Sequence, residues 1–538
     1  MSLRNVLGKD FNPQVKHLLI SFFCLNSLWI FASPVGASPD EPAQIRYSWA
    51  VVTGQTIHEE VTLDQSGRPG TKISMPKKLT DYIEPGCYAF KPSISVGSCG
   101  IPLEEFGTET ITTTSYMSGY PPTYYFLQGL PLLLVHLENF SGRDILLISR
   151  IFMFLLCYIF IICGILILIK IFDIRAVFTL TLIALPSLTW FLFASINSSS
   201  LEIASSFLLT SLLLKINHDL ALKVDITKKY LAVLGAVAFI LATTRPLSWA
   251  WLVLLVIQFI ILALQKDTSD LKSVKKFFSS YSKSLMTQLV KIVLVCLVSA
   301  LVGFLFFLRI FTLRGDIVAD SVEQNWSGIN LVNKIMLLVL HLGEMFQHQI
   351  GNFGWMDSPL PFLITSLWIA SISAILAQGY VRNQTSIRPR NGIITSVVLG
   401  LVIVFGDELI SNFGWQGRYV LPLTVGITLF LIPHFSYLFD TFQLNSNVIW
   451  RSSQILVGIN AFAILWFLWR NMFGIQLWSS MRIPKAPLPV GQFSWEPVYF
   501  GYAVFMIFFI LSSALTLNKL NNLFRVKSDS ISPFSRAI

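Results

Sequence analysis

Charge is scarce in this chain. Only 13% of its 538 residues are Asp, Glu, Lys or Arg, against 54% hydrophobic, far from the balance of a soluble domain. A soluble enzyme or binding module is excluded on that ground. The short alternating segments that a membrane β-barrel requires are also missing. Without internal repeats, an inverted-repeat transporter gains no support. Cysteine is sparse as well, six in all. Cys24, Cys157, Cys163 and Cys296 fall within apolar runs and read as small apolar fillers. Cys87 and Cys99 share the stretch GCYAFKPSISVGSC, which reads either as a disulfide loop in an oxidising compartment or as two free thiols.

What the chain has instead is apolar runs of about 20 residues, enough to cross a hydrocarbon core of about 30 Å. They recur along nearly its whole length. The net charge of +10 sits in short loops beside those runs, where lipid head groups and insertion machinery read it. No basic face with interleaved aromatics appears, so nucleic acid is not an expected partner.

The first run, about 16–33, follows Arg4, Lys9 and Lys16 and resembles a signal peptide, with small residues from Ala32 to Ser38. Its length, and Pro34 and Pro39 at the would-be cleavage site, favour an uncleaved first span. Further spans are expected near 145–170, 176–194, 201–215, 230–245, 246–264, 288–309, 360–378, 392–410, 419–438, 449–469 and 499–517. Excluding 121–138 and 330–350 places every lysine-rich short loop on the cytoplasmic side. Lys334, His341, Glu344 and His348 form one wet stripe on 330–350, as on a helix lying in the interface rather than crossing it.

The expected fold is therefore an all-α integral membrane protein of about 12 transmembrane helices, with an extracytoplasmic cap of interfacial helices and loops. Residues 1–33 hold a cytoplasmic N-terminus and first helix, and 34–144 a long outer loop. Residues 145–309 carry helices two to seven, 310–359 a second outer loop with the amphipathic helix, 360–517 helices eight to twelve, and 518–538 a cytoplasmic tail.

Candidate chemistry gathers on the outer side. Ser38-Pro39-Asp40-Glu41-Pro42 follows the first span, with capping-box spacing between Ser38 and Glu41. Equally, a carboxylate fixed at a helix start beside the membrane suits a general base. Arg245 in TTRP and Arg418 in WQGRY stand at outer span boundaries, either snorkelling or binding phosphate. Arg418, beside Trp415 and Gln416, is the preferred phosphate partner, with Arg46 a further candidate. Trp355 and Trp415, in Gly-flanked turns, suit stacking on a sugar ring. Asp357 could orient a hydroxyl or simply make a turn, and His348 adjoins the same loop.

These segments carry a resemblance. PDEPAQIRYSWAVVTGQ, YPPTYYFLQGL, INSSSLEI, TTRPLSW, GNFGWMDSPLP and WQGRYVLPL together resemble DUF2142, a family of bacterial membrane proteins of unknown function, and more broadly the GT-C class of membrane glycosyltransferases. The family's PDEPxH signature has His where this chain has Gln44. The resemblance implies Asp40 as catalytic base, with Glu41 as a supporting carboxylate or metal ligand. It implies a bacterial cell membrane location, with both termini cytoplasmic. Because nucleotide sugars are cytoplasmic, an outward-facing site implies a polyprenyl-phosphate-linked sugar donor and a glycan or lipid acceptor. A divalent cation such as Mg²⁺ is possible between the carboxylates and the donor phosphate. The rivals are a flippase of lipid-linked glycans and a non-catalytic subunit of envelope-glycan assembly.

Overall fold

The computed structural model describes residues 13–55, 61–63, 69–80, 82, 85–99, 109–117, 120–264, 283–326, 331–381, 388–411, 416–441, 444–475 and 501–525. The chain is mostly helical. Helix α1 (Pro13–Ala32) leads into a short turn and α2 (Glu41–Val52). A small antiparallel sheet then forms in the order β1 (Val61–Leu63), β2 (Pro69–Pro76), β3 (Thr110–Ser115), with Thr71 opposite Ser115 and Met75 opposite Ile111. A short helix α3 (Pro122–Gly129) and a 3-10 turn (Pro131–His136) follow.

Helices of 7 to 44 residues follow: α4 (Gly142–Leu168), α5 (Ile174–Ala184), α6 (Ser187–Phe193), α7 (Ser198–Ala221), α8 (Lys228–Ala242), α9 (Ser248–Leu264) and α10 (Lys283–Trp326). After α11 (Leu331–Gly351) and a tight hairpin of β4 (Asn352–Phe353) with β5 (Ser358–Pro359) come α12 (Phe362–Val381), α13 (Arg388–Ser411), α14 (Leu421–Leu429), α15 (Ile432–Asp440), α16 (Ser446–Phe473) and α17 (Gly501–Arg525).

Local signals set the starts of these helices. Ser141 and Asp144 form a full capping box on α4. Asn197, Thr227 and Asn445 each accept a first-turn amide on α7, α8 and α16. Pro186 lacks the amide needed to continue α5, and the chain bends 75° there before α6.

Each of the twelve expected stretches is helical over most of its described residues, though not all of these helices are full-length. Among the described residues eight helices are long and apolar enough to cross a membrane, or nine if the bent α5–α6 pair counts as one. Helices α8 and α9 have 15 and 17 residues, and the apolar part of α13, Val397–Gly406, is shorter still.

Helix α7 is the most enclosed, with 94% of its apolar window buried. Its serines explain how a helix so rich in hydroxyls sits at the centre. Ser205 donates to Leu201 O at 2.6 Å and Ser211 to Phe207 O at 2.8 Å, while Ser206 reaches Pro422 O at 2.6 Å on α14. Small side chains satisfied this way let neighbouring helices approach closely. On α4, Gly164 has no room for a Cβ, which would lie 2.7 Å from the ring of Phe207.

Cys87 and Cys99 are bonded to each other, which closes the lobe between β2 and β3. Arg470, near the end of α16, ties that lobe to the helices by donating to Tyr88 O and Ile94 O at 3.0 Å each. The other four cysteines are free thiols. Alkylation of the denatured protein without reductant is therefore expected to modify four of the six cysteines, and all six after reduction, read by intact mass.

Candidate functional site

Construction of the site begins at Arg150, a fully buried guanidinium near the start of α4. Its Nε and Nη2 donate to Glu41 Oε1 and Oε2 at 2.8 and 2.6 Å. Its Nη1 and Nη2 also reach Ser33 O at 2.5 Å and Pro34 O at 2.9 Å. Glu41 accepts further from the backbone N–H groups of Gly36, Ile196 and Ser38 at 2.9, 2.9 and 3.3 Å. One carboxylate thus joins the end of α1, the start of α2, α4 and the turn before α7.

The capping-box reading is half met. Glu41 accepts from the Ser38 amide, but Ser38 Oγ has no hydrogen-bond partner. With five donors already on its two oxygens, Glu41 departs from the role of metal ligand. It holds the site together instead.

Asp40 faces another way. Its backbone is left-handed, at φ 64° and ψ 3°, a conformation that Asp tolerates better than most residues. That single turn separates two adjacent carboxylates into opposite environments. Asp40 Oδ1 accepts from Tyr116 Oη at 2.7 Å, and Oδ2 from Arg418 Nη2 at 2.5 Å. Its side chain is 18% exposed, whereas that of Glu41 is 0% exposed.

Arg418 owes its place to Gly417. A Cβ there would stand 2.1 Å from Met345 O on α11, so only glycine lets the 417–419 turn lie against that helix. Arg418 also donates to Pro39 O at 3.4 Å and Tyr419 Oη at 3.3 Å. Burial works against its charge, but the Tyr419 hydroxyl and Asp40 hold its pKa above the ordinary arginine value.

Arg245, in the turn between α8 and α9, lies 4.2 Å over the opposite part of this arrangement, the Tyr419 ring, with Arg418 5.1 Å from the same ring. It donates to Ser199 Oγ at 2.9 Å and stands 3.5 Å from Glu202 Oε2 on α7. Ser248 fixes the other oxygen of Glu202 at 2.6 Å. The Nε atoms of Arg245 and Arg418 are both buried without a hydrogen-bond partner, as are Gln416 Oε1 and His348 Nδ1. Such orphaned polar atoms are costly. The two arginine Nε groups are donors and suit an anion such as phosphate, which takes several N–H donors at once.

The other candidates separate. Gln44 Oε1 accepts from the Ser198 amide at 2.7 Å and so takes a free N–H at the start of α7. Asn197 reaches across to Pro39 O at 3.0 Å. Arg46 turns away, to Thr114 O and Tyr82 Oη at 3.2 Å each, and braces the sheet. Trp355 donates to Gly36 O at 3.0 Å, beside the acidic turn. Asp357 pairs with Arg470 at 2.8 Å, an ion pair buried on both sides. Trp415 lies outside the described residues. No group of three or more His, Cys, Asp or Glu among those described is arranged to hold a metal. Since Asp40 and Glu41 are both engaged by arginine, the carboxylates do not fit a cation, and no step is assigned to one.

Sequence reasoning missed Arg150, Glu202 and Arg470, along with Tyr116 and Tyr419. The first three carried a usable signal: each is an ionisable residue within an otherwise apolar helix, which by default asks for a buried partner. The tyrosines carried none.

Two outcomes follow for stability. Glu41→Gln strands the Arg150 charge and is expected to cost about 3–5 kcal/mol, seen as a lowered unfolding midpoint in detergent, while Asp40→Asn, at a partly exposed side chain, is expected to lower the midpoint less. His348 on α11 is the pH-sensitive member. Burial, with help from His341 and Arg418 and against Glu344, lowers its pKa below the ordinary 6.5. The unfolded chain then takes up a proton that the folded one refuses, so stability falls as pH drops through and below the ordinary value. His348→Gln is expected to flatten the decline in unfolding midpoint between about pH 7 and about pH 5.

A family model described as predicted membrane protein (DUF2142) matches residues 23–427. That interval runs from α1 into α14 and takes in Asp40, Glu41, Arg150, Glu202, Arg245 and Arg418, but stops short of Arg470. No curated protein matches the chain.

Proposed function

We propose that this chain, which belongs to the DUF2142 family of predicted membrane proteins, moves a sugar from a polyprenyl-phosphate-linked donor to a glycan or lipid acceptor of the cell envelope. The reading has twelve crossings with both termini cytoplasmic, which puts the Asp40 cluster on the outer face of a bacterial membrane. Only membrane-borne donors reach a site so placed.

One observation carries it. Five segments distant in sequence, at 39–44, 196–202, 243–248, 355 and 416–419, meet around one partly exposed carboxylate and two arginines with spare donors. The acceptor hydroxyl gives its proton to Asp40 as its oxygen bonds to the anomeric carbon. The bond from that carbon to the phosphate oxygen breaks, and its electron pair leaves with the polyprenyl phosphate. Arg418 and Arg245 stabilise the departing charge. Attack opposite the leaving group inverts the anomeric centre. Glu41 and Arg150 position Asp40 without touching substrate. Trp355, close to the acidic turn, is placed for a sugar ring.

Asp40→Asn is expected to lower sugar transfer about 10²–10⁴-fold with normal expression. Arg418→Gln is expected to lower it about 10²–10³-fold. The measurement is transfer from lipid-linked sugar in membranes, alongside the lipid intermediate that accumulates when the protein is absent. Undiminished transfer by Asp40→Asn removes that residue as the base. Labelling that finds the 33–55 segment on the cytoplasmic side removes the outward-facing enzyme altogether.

A further inference from the structure

Resting on the donor reading above, we infer that Arg418 and Tyr116 mask Asp40 until the phosphate of the lipid-linked donor takes Arg418, so that arrival of the donor exposes the base. As it stands, each Asp40 oxygen is occupied, by Tyr116 Oη at 2.7 Å and by Arg418 Nη2 at 2.5 Å. A carboxylate paired to a guanidinium is a weak proton acceptor, because the cation favours its ionised form.

Four arginine–acid pairs, those of Glu41, Glu202, Asp357 and Asp40, differ in one respect. The acid side chains of Glu41, Glu202 and Asp357 are 0%, 2% and 4% exposed, and that of Asp40 is 18% exposed. Of the four acids, Asp40 is therefore the most open to an incoming ligand.

The two partners are also unequal in how firmly they are held. Arg418 is also held by Pro39 O, Tyr419 Oη and the Tyr419 ring, and its turn is seated on α11 at Gly417. Its Nε is still unpartnered. Asp40 makes no capping bond to α2, so its carboxylate leaves without unravelling a helix. The donor phosphate brings a negative charge and acceptor oxygens of its own to the guanidinium, and it repels the carboxylate beside it. Phosphate and Asp40 thus compete for one guanidinium. Tyr116 is the positioning residue that sets the strength of the mask. The arrangement ties base activation to donor occupancy and leaves the base unavailable to activate water in an empty site.

Calorimetry on the full-length protein in detergent tests this, with farnesyl phosphate, inorganic phosphate and farnesol as probes. Asp40→Asn is expected to bind farnesyl phosphate at least about fivefold more tightly than wild type. Tyr116→Phe, which loosens the mask with no change of charge, is expected to show part of that gain. Farnesol affinity is expected to be the same in all three. In wild type, infrared difference spectra on adding farnesyl phosphate should show a shifted carboxylate band that is absent from Asp40→Asn.

Unchanged or weaker phosphate binding by Asp40→Asn overturns the mask. So does a gain in Asp40→Asn with none in Tyr116→Phe, since charge alone then explains it. A missing carboxylate shift in wild type at saturation overturns it as well. If the gains appear with inorganic phosphate but not with farnesyl phosphate, the mask stands and the lipid donor falls. If neither phosphate binds, both fall.

Discussion

The pairing of Arg150 with Glu41 is the interaction on which the rest depends. Two ionised groups withdrawn from water cost several kcal/mol each, and their attraction recovers this only with near-ideal geometry and every remaining donor and acceptor satisfied. Here those conditions hold. The guanidinium binds the carboxylate through two nitrogens and spends its other capacity on Ser33 O and Pro34 O, while three backbone amides complete the carboxylate. Because the amides come from both the 36–38 turn and Ile196, the pair fixes where α2 and α7 begin relative to α1 and α4. Everything at the site is referenced to those four helix ends.

Charge balance gives the second constraint. Arg150, Arg245, Arg418 and Arg470 each face one acid, Glu41, Glu202, Asp40 and Asp357 respectively. These four pairs carry no net charge, which is how such a polar cluster survives between apolar helices. Balance in charge is not balance in hydrogen bonds, however. Two Nε donors, on Arg245 and Arg418, and the Gln416 oxygen are left over, whereas the Arg150 pair is saturated. The contrast separates a clamp from a binding site on physical grounds: one has nothing left to offer, and the other does.

The helical architecture was legible because it rests on long apolar runs. The length and straightness of the individual helices were less so, since hydropathy cannot see that Pro186 bends one stretch by 75° or that α8 and α9 stop at 15 and 17 residues. Asp40, Arg418 and Arg245 were readable as polar residues at span boundaries, yet their mutual contacts span hundreds of positions in sequence. Arg46 shows the limit of spacing arguments. Two helical turns after Asp40 it was a candidate phosphate partner, but the sheet at Thr114 and Tyr82 claims it. Glu41 shows the limit of adjacency, since nothing in a DE pair reveals that a left-handed residue will turn the carboxylates apart. The Cys87–Cys99 pairing, one of two open readings, is the form the structure takes.

Gln44 bears on whether departure from the family signature disables the site. Its amide oxygen accepts the Ser198 N–H at 2.7 Å, one of the amides at a helix start with no partner inside the helix. The task at this position is therefore acceptance of a hydrogen bond, which a neutral histidine nitrogen performs equally well. Glutamine keeps that bond but cannot become cationic, so the start of α7 never gains a positive charge beside Asn197 and the acidic turn. The substitution leaves the Arg150–Glu41 clamp and the Asp40–Arg418 pair intact. What it removes is a titratable group three residues from the clamped carboxylate. Any dependence of the site on pH in this chain must then come from elsewhere in the cluster, and the histidine nearest to Arg418 in the described geometry, His348 on α11, is placed to supply it.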